Sequence, residues 1–369
     1  MNLFFFQNCI SPHQLPYIKE LHKMEGVEKV VYVAPIVSDS HRSQMGWQSI
    51  LPSEEGVSFM INPSVSEIET LLINNTDTHL FFSGITAFTE VFSWFKLSLR
   101  YPVHRHIITE PPFVYDKPLW MHACKFILKD WRYTKHIDNI FLMGEDYRRY
   151  YEHLAKTCKV IPFAYCTAWR ERKKEASTDE HLRLLFVGSL CRRKNVKLLL
   201  ESIALIDETN RNKVELGVVG DGGERELLSA YACNHNLNVT FFGSQPIERI
   251  PEFMEGNDVL VLPSLHDGWG AVVNEALTLG LYVICSDACG AKDLLKDPRC
   301  GSVYKSGDSD DLKTKIVKCA EQIGALRKDV PFRIDWARKS IKGDAVAKYL
   351  VDVLYGKPVI KPWNHNELL

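Results

Sequence analysis

Charge of one sign is what this chain lacks most plainly. Lys and Arg number 45 against 46 Asp and Glu, a net charge of −1 over 369 residues. General nucleic-acid binding needs a basic surface, so that class is not expected. No apolar run reaches ~18 residues, so no segment reads as membrane-spanning. The best candidate, residues 80–95, is broken by Ser83, Glu90 and Ser93. The opening MNLFFFQNCI has neither a basic stretch nor a small-residue cleavage site, so it does not read as a signal peptide. Cysteine is present ten times but never as C-x-x-C. Cys285 and Cys289 stand four apart with no nearby histidine to complete a zinc set. Scattered thiols suit a reducing cytoplasm. Internal repeats and low-complexity tracts are also missing.

What is present is a succession of short apolar runs alternating with helical stretches. The length suggests two domains. The first half places strands at 3–6, 30–33, 80–82, 107–108, 140–142 and 160–161, with a helix at 15–23. Residues 171–181 (ERKKEASTDEH) are polar and charged and read as a linker. The expected division is a first domain at 1–170, a second at 182–345 and a terminal helix and tail at 346–369. The stretch from Asp335 to Leu354 reads as one helix, with Trp336, Val346, Tyr349, Leu350 and Val353 as its apolar contacts. The alternation predicts two doubly wound α/β sheets of Rossmann type facing each other across a cleft.

The most informative stretch is 263–287, PSLHDGWGAVVNEALTLGLYVICSD. The apolar run 258–262 is ended by Pro263 and reads as a buried strand. Asp267-Gly268-Trp269-Gly270 then opens a helix from about Ala271 to Thr278, stopped by Gly280. Residues 282–285 form the next strand. Such a β-α-β unit gathers free backbone N–H groups and the helix dipole at the strand exit, which suits a diphosphate. Asp267 and Glu275 lie eight residues apart. This segment resembles the E-x7-E region of family 4 retaining glycosyltransferases, which reads E-G-F/W-G-x-x-x-x-E-A. Here it reads D-G-W-G-A-V-V-N-E-A, with Asp267 one methylene shorter than the usual glutamate. The resemblance implies that Asp267 contacts the transferred sugar. It also implies that Gly268, Trp269 and Gly270 line the diphosphate and that Glu275 binds the ribose hydroxyls. A loop-and-helix join with ordinary charges is the other reading of the same residues.

Two further motifs follow the family's order. Residues 182–188 form a strand ending on Gly188, followed by Ser189-Leu190-Cys191-Arg192-Arg193-Lys194-Asn195. The family pattern is G-R-L-x-x-x-K-G. Lys194 matches the lysine, while Ser189 and Asn195 replace the arginine and glycine. Arg192 and Arg193 are both candidates for the missing guanidinium. Three cations at a strand-to-helix turn can neutralise a diphosphate leaving group, although a charge run is also what a solvated turn looks like. Residues 214–219 run into Gly220-Asp221-Gly222-Gly223, similar to the family's G-x-G beside the nucleotide. As a dinucleotide fingerprint this is weak, because Arg225 occupies the third glycine's place. The strand 239–243 ends on Gly243, the family's element beside the base.

The first half is expected to bind the acceptor. His13 lies in the loop after the first strand, where it would hydrogen-bond the donor sugar or take a proton. Ser11 as helix N-cap with Pro12 at the first helical place is the alternative. Glu110 follows a strand at 107–108, as an acceptor ligand or a loop charge. Between Val91 and His136 stand eight Lys or Arg and three Asp or Glu, interleaved with Trp94, Phe95, Trp120, Phe126, Trp131 and Tyr133. That mixture suits an anionic membrane surface or a lipid diphosphate acceptor; helices that bury aromatics behind a basic face have the same composition. Asp308-Ser309-Asp310 resembles a metal-binding D-x-D, but it precedes Asp311-Leu312 as a helix start would.

Taken together, the resemblance implies a metal-independent, retaining glycosyltransferase with no cofactor. Its donor is a nucleoside-diphosphate sugar, and its acceptor a saccharide or lipid-linked saccharide. The setting implied is bacterial surface-polysaccharide assembly, in the cytoplasm or on the cytoplasmic face of the membrane. A sugar-nucleotide 2-epimerase of the same fold and a non-catalytic binding subunit are the alternatives.

Overall fold

The computed structural model describes residues 1–37, 55–75, 77–358 and 360–364. They form two compact units. One holds Met1–Ala168 together with the segment that starts at Ile341; the other is Trp169–Ser340.

The first unit is built on seven parallel strands: β1 (Asn2–Phe6), β2 (Lys29–Ala34), β3 (Ser58–Ile61), β4 (Thr78–Ser83), β5 (His104–Thr109), β6 (Asn139–Met143) and β7 (Lys159–Phe163). Their order is β3-β2-β1-β4-β5-β6-β7. A strand covered on both faces reads as a continuous apolar run, and β1 (NLFFF) is buried throughout. Its register against β4 sets Phe5 beside Phe81 and Phe6 beside Phe82. Both pairs stack, with ring centroids 4.6 and 5.0 Å apart, which adds specific aromatic packing to the burial.

The second unit carries β8 (Leu182–Val187), β9 (Val214–Val219), β10 (Val239–Gly243), β11 (Val259–Leu262), β12 (Tyr282–Ser286) and β13 (Gly301–Tyr304). The order is β10-β9-β8-β11-β12-β13, all parallel. In each sheet the strand order reverses beside the first strand, between β1 and β4 and between β8 and β11. Ligands of doubly wound sheets bind outside the carboxyl ends of the strands at that reversal.

Several elements depart from the reading of the sequence. β3 and β13 were not expected; β3 is a short, half-exposed edge strand and β13 begins on a glycine. The first helix is Leu15–Leu21, with Gln14 at its N-cap and Pro16 in its first turn. Ser11 is therefore not the cap; its Oγ accepts from the His13 backbone N–H at 3.3 Å inside the preceding loop. The expected helix from Asp335 to Leu354 is two helices, Val330–Ser340 and Gly343–Leu354, one in each unit. Lys342 is extended between them. Gly343 lies against helix Leu15–Leu21, where a Cβ would meet the Pro16 carbonyl oxygen at 2.3 Å. Tyr349 donates from its hydroxyl to the Pro162 carbonyl at 2.9 Å, which ties the terminal helix to β7. The polar segment at 171–181 is tied to the second unit. The Arg172 guanidinium donates to the Leu279 and Glu255 carbonyls at 2.7 and 3.1 Å.

Candidate functional site

The site grows from the loops that leave β8, β9, β10 and β11. Three of these strand exits are laced together by backbone hydrogen bonds. Gly220 N donates to Gly243 O at 2.9 Å, Gly188 N to Val219 O at 3.0 Å, and Leu190 N to Asp221 O at 2.9 Å. Such close approach leaves no room for side chains. A Cβ on Gly220 would fall 1.9 Å from the Gly188 carbonyl oxygen, at φ +134°. Glycine is the residue that accepts both the positive φ and the contact. Asp221 folds back on its own turn, its Oδ1 accepting from Gly222 N at 2.8 Å. Ser189 lies in the first of these loops, one residue past Gly188.

The reversal of strand order then brings β8 and β11 side by side, although their loops are some 70 residues apart in sequence. Leu265 N donates to Arg193 O at 2.8 Å, pinning one loop to the other. Lys194 Nζ donates to Asp267 Oδ2. Arg193 NH1 donates to the His266 carbonyl at 2.8 Å and stands 3.7 Å from Asp267 Oδ1. Ser264 Oγ donates to Asp267 Oδ2 at 3.3 Å. Both members of the Lys194–Asp267 pair are largely buried, each side chain 14% exposed. Of the two candidate guanidiniums, the structure brings Arg193 to the carboxylate.

The loop carrying Asp267 is itself clamped to the exit of β12. Asp267 N donates to Ala288 O at 3.0 Å and Gly290 N to Asp267 O at 3.1 Å, a short parallel bridge. A Cβ on Gly290 would meet the Gly268 carbonyl oxygen at 2.3 Å. Gly270 turns at φ +92° under the Cys289 sulfur. Trp269, expected to line the donor, turns its indole into the core: it is 2% exposed, and Nε1 donates to Asn274 Oδ1 at 2.7 Å. The Cys289 thiol donates to the Trp269 carbonyl at 3.0 Å. The tryptophan side chain thus holds the loop's shape. The helix Val272–Thr278 follows and carries Glu275. Burial pushes the Glu275 carboxyl up from its ordinary value to about 7, partly opposed by the positive charge of Arg170.

In the first unit, His13 and Glu110 leave the carboxyl ends of β1 and β5. Tyr165, just past β7, connects them. Its hydroxyl donates to Glu110 Oε1 at 3.0 Å, and its ring centroid lies 6.1 Å from that of His13. Cys166 N donates to His13 O at 2.9 Å, holding the first loop in place. The Asp308 motif is a helix cap: its Oδ1 accepts from Asp311 N at 3.0 Å at the start of Ser309–Glu321.

Sequence reasoning missed Tyr165, Ser264, Asn274, Cys289 and Gly290. Ser264 and Asn274 lie inside the stretch it singled out, so proximity was the available signal. Tyr165 stands 55 residues from Glu110 and no local pattern marks it. The aromatics of 91–136 divide: Trp94, Phe95 and Phe126 are in the first unit's core with Tyr133 packed on it, while Trp120 and Trp131 are exposed.

Two parallel α/β sheets, each reversing beside its first strand, define a two-unit α/β protein of the GT-B fold. Comparison with known proteins agrees. Residues 167–329 match the family model of glycosyl transferases group 1. A Campylobacter jejuni relative, GalNAc-alpha-(1->4)-GalNAc-alpha-(1->3)-diNAcBac-PP-undecaprenol alpha-1,4-N-acetyl-D-galactosaminyltransferase, is 28% identical over 51% of this chain and 53% of its own. The lipopolysaccharide glucosyltransferase WaaG of Escherichia coli is 29% identical over 46% of this chain and 43% of its own. The chain thus spans about half the length of these relatives. Over 96% of this chain the fold matches all of Anabaena HepE, solved in complex with UDP, with a TM-score of 0.69 at 14% identity. It matches 99% of the galactosyltransferase WaaB with a TM-score of 0.65 at 16% identity.

Proposed function

We propose that this protein is a family 4, retaining glycosyltransferase that moves a sugar from a nucleoside-diphosphate donor to a hydroxyl of a saccharide or lipid-linked saccharide. The observation that carries the reading is the Lys194–Asp267 pair at the β8/β11 reversal, with Arg193 against the same carboxylate. When donor binds, Lys194 and Arg193 exchange the carboxylate for the diphosphate, and Asp267 is released to the sugar hydroxyls. The cations then stabilise the charge that grows as the bond between the anomeric carbon and the diphosphate oxygen breaks. The acceptor oxygen forms the new bond on the same face and gives its proton to the departing diphosphate oxygen. Gly188, Ser189, Gly220, Asp221, Gly243, Gly268 and Gly270 line the nucleotide, with Glu275 on the ribose. His13 takes the transferred sugar and Glu110 the acceptor hydroxyl.

Two cations aimed at the leaving group support a reaction that needs no metal. Turnover is expected to survive chelation by EDTA. Relatives whose names place them in lipopolysaccharide and undecaprenol-linked glycan synthesis support a role in bacterial surface-polysaccharide assembly. The corresponding location is the cytoplasmic face of the membrane. Among the described residues no helix is long and apolar enough to cross one.

A thermal-shift screen across UDP, GDP, ADP and their sugars tests the reading. A ligand at ~100 times its dissociation constant stabilises by about 2.7 kcal/mol. The proposal fails if no nucleoside diphosphate shifts the transition. It also fails if donor alone is converted to an epimeric nucleotide sugar.

A further inference from the structure

Backbone strain singles out Tyr147. Among the described residues, five non-glycine positions have positive φ. Four of them are Asn62, Asp77, Asn195 and Asn236, whose short polar side chains bond locally and tolerate that region. The fifth is Tyr147, at φ 64° and ψ 8°. A bulky residue there carries a cost that glycine would not, and such outliers gather where a site needs a particular side chain. The helix Arg148–Leu154 does not need this one: Tyr147 stands at its N-cap and makes no side-chain capping bond. Gly144, earlier in the same loop, takes a left-handed turn at φ 82° with the residue suited to it.

The surroundings hold the strained turn from both sides. Gly144 N donates to the Phe163 carbonyl at 2.9 Å, fixing the exit of β6 on β7. Glu145 pairs with Lys361, whose side chain is 3% exposed. Lys361 belongs to the terminal segment, and Trp363 of the same segment packs on Tyr349 with ring centroids 5.4 Å apart. Breaking a buried ion pair strands a charge, so this pair clamps the loop. Past the turn, Tyr151 N closes on the Tyr147 carbonyl at 3.1 Å, and the Tyr151 side chain hydrogen-bonds Thr109 at the end of β5. Glu110 is the next residue. Because β6 lies between β5 and β7, the Tyr165–Glu110 hydrogen bond bridges the two strands that flank its exit. Tyr147 leaves the sheet between them.

We propose that Tyr147 is the platform on which the acceptor's terminal sugar lies, and that the Lys361–Glu145 clamp keeps its ring presented there. The face of an aromatic ring is electron-rich and attracts the C–H bonds of a pyranose, whose hydroxyls donate to carboxylates. Tyr147 is half-buried, with Tyr150 edge-on to it at 6.4 Å between ring centroids. Glu110 and Asp146 bring carboxylates to the same strand exits. Arg148 is turned to Glu152, 2.9 Å away. The set fits the uncharged end of a saccharide rather than a phosphate. The inference rests on the assigned transfer in calling this sugar the acceptor. It commits that reading to a saccharide hydroxyl, and not a bare lipid phosphate, as the group that receives the sugar.

Saturation-transfer NMR tests it, with the methyl glycosides of glucose, galactose, mannose and N-acetylgalactosamine as probes and geranyl phosphate beside them. In wild type the ring C–H protons of at least one glycoside should receive transfer. Tyr147→Phe should keep that binding, while Tyr147→Ala and Tyr147→Gly should weaken it roughly two- to tenfold. Tyr147→Gly should nonetheless have the higher urea midpoint of the two, since glycine accepts the backbone without strain. E145Q with K361M removes the clamp without stranding a charge and should weaken the glycoside as Tyr147→Gly does. Unchanged UDP affinity in each variant, read by calorimetry, shows that the second unit is intact. Undiminished glycoside binding in Tyr147→Gly overturns the proposal, as does transfer to geranyl phosphate and to no glycoside. Equal midpoints for the alanine and glycine variants remove the strain on which it stands and overturn it as well. Glycoside binding in a protein that no nucleoside diphosphate stabilises would overturn the assigned transfer and leave this site in place.

Discussion

Glu275 offers the sharpest test of how the second unit is assembled. Its helix starts directly behind the loop that Trp269 and Cys289 hold, and Glu275 stands half-buried there between the buried Asn274 and Ala276. Burial raises its pKa from 4.5 to about 7. A group protonated more readily when folded than when unfolded stabilises the fold only while both states hold the proton. As pH rises above ~4.5, the unfolded chain releases its proton first and native stability falls. The loss is complete once pH passes about 7, and a rise of that size corresponds to roughly 3 kcal/mol. Glu275→Gln keeps the shape and removes the titration. The variant should be more stable than wild type by up to ~3 kcal/mol at pH 8. The gap should shrink to below ~1 kcal/mol near pH 5. Urea denaturation at pH 5, 6.5 and 8 reads this directly. Saturating nucleoside diphosphate should narrow the gap at pH 8 by ~1.5–3 kcal/mol, because ribose hydroxyls donating to the ionised carboxylate are lost in the glutamine. A wild-type-to-variant gap that does not change with pH would refute the account of the buried carboxyl. A normal nucleotide affinity in the variant would remove Glu275 from the ribose.

Lys194→Ala should lower turnover more than donor affinity, since the charge it meets grows in the transition state; steady-state kinetics with kcat and KM resolved for the donor reads this. Gly220→Ala should destabilise by at least ~3 kcal/mol in urea denaturation, because the methyl meets the Gly188 carbonyl in a left-handed backbone. Tyr165→Phe should raise the acceptor KM and leave nucleotide affinity unchanged in calorimetry, since Tyr165 and its partner Glu110 both belong to the first unit and the nucleotide loops to the second.

Most strands were legible because a parallel sheet covered on both faces leaves apolar runs that need no periodicity to be seen; β1 and β11 are the plainest cases. β3 and β13 escaped for separate reasons: the run of β3 is only Phe59, Met60 and Ile61 and lies half exposed at the sheet's edge, while β13 mixes glycine, serine and tyrosine. The break at Lys342 escaped for a different reason. No proline marks it, and it exists because the chain passes from one unit to the other there, with Gly343 pressed on Pro16. That cause is a distant contact, which local pattern does not encode.

The site divides along the same line. Its loops were visible one by one, since glycines at strand exits and a carboxylate at a helix start are local signals. Which loops meet was not visible, because it follows from strand order. Only when β11 lies next to β8 does Lys194 reach Asp267 across a sequence separation of 73. The same limit governs the aromatics of 91–136. Composition counts ten and cannot say which face inward. Packing sends Phe126 into the core, and the geometry of its helix, Leu119–Lys129, then forces Trp120, Ile127 and Leu128 to the opposite side. A single buried phenylalanine thereby decides that these apolar side chains are presented outward as a surface.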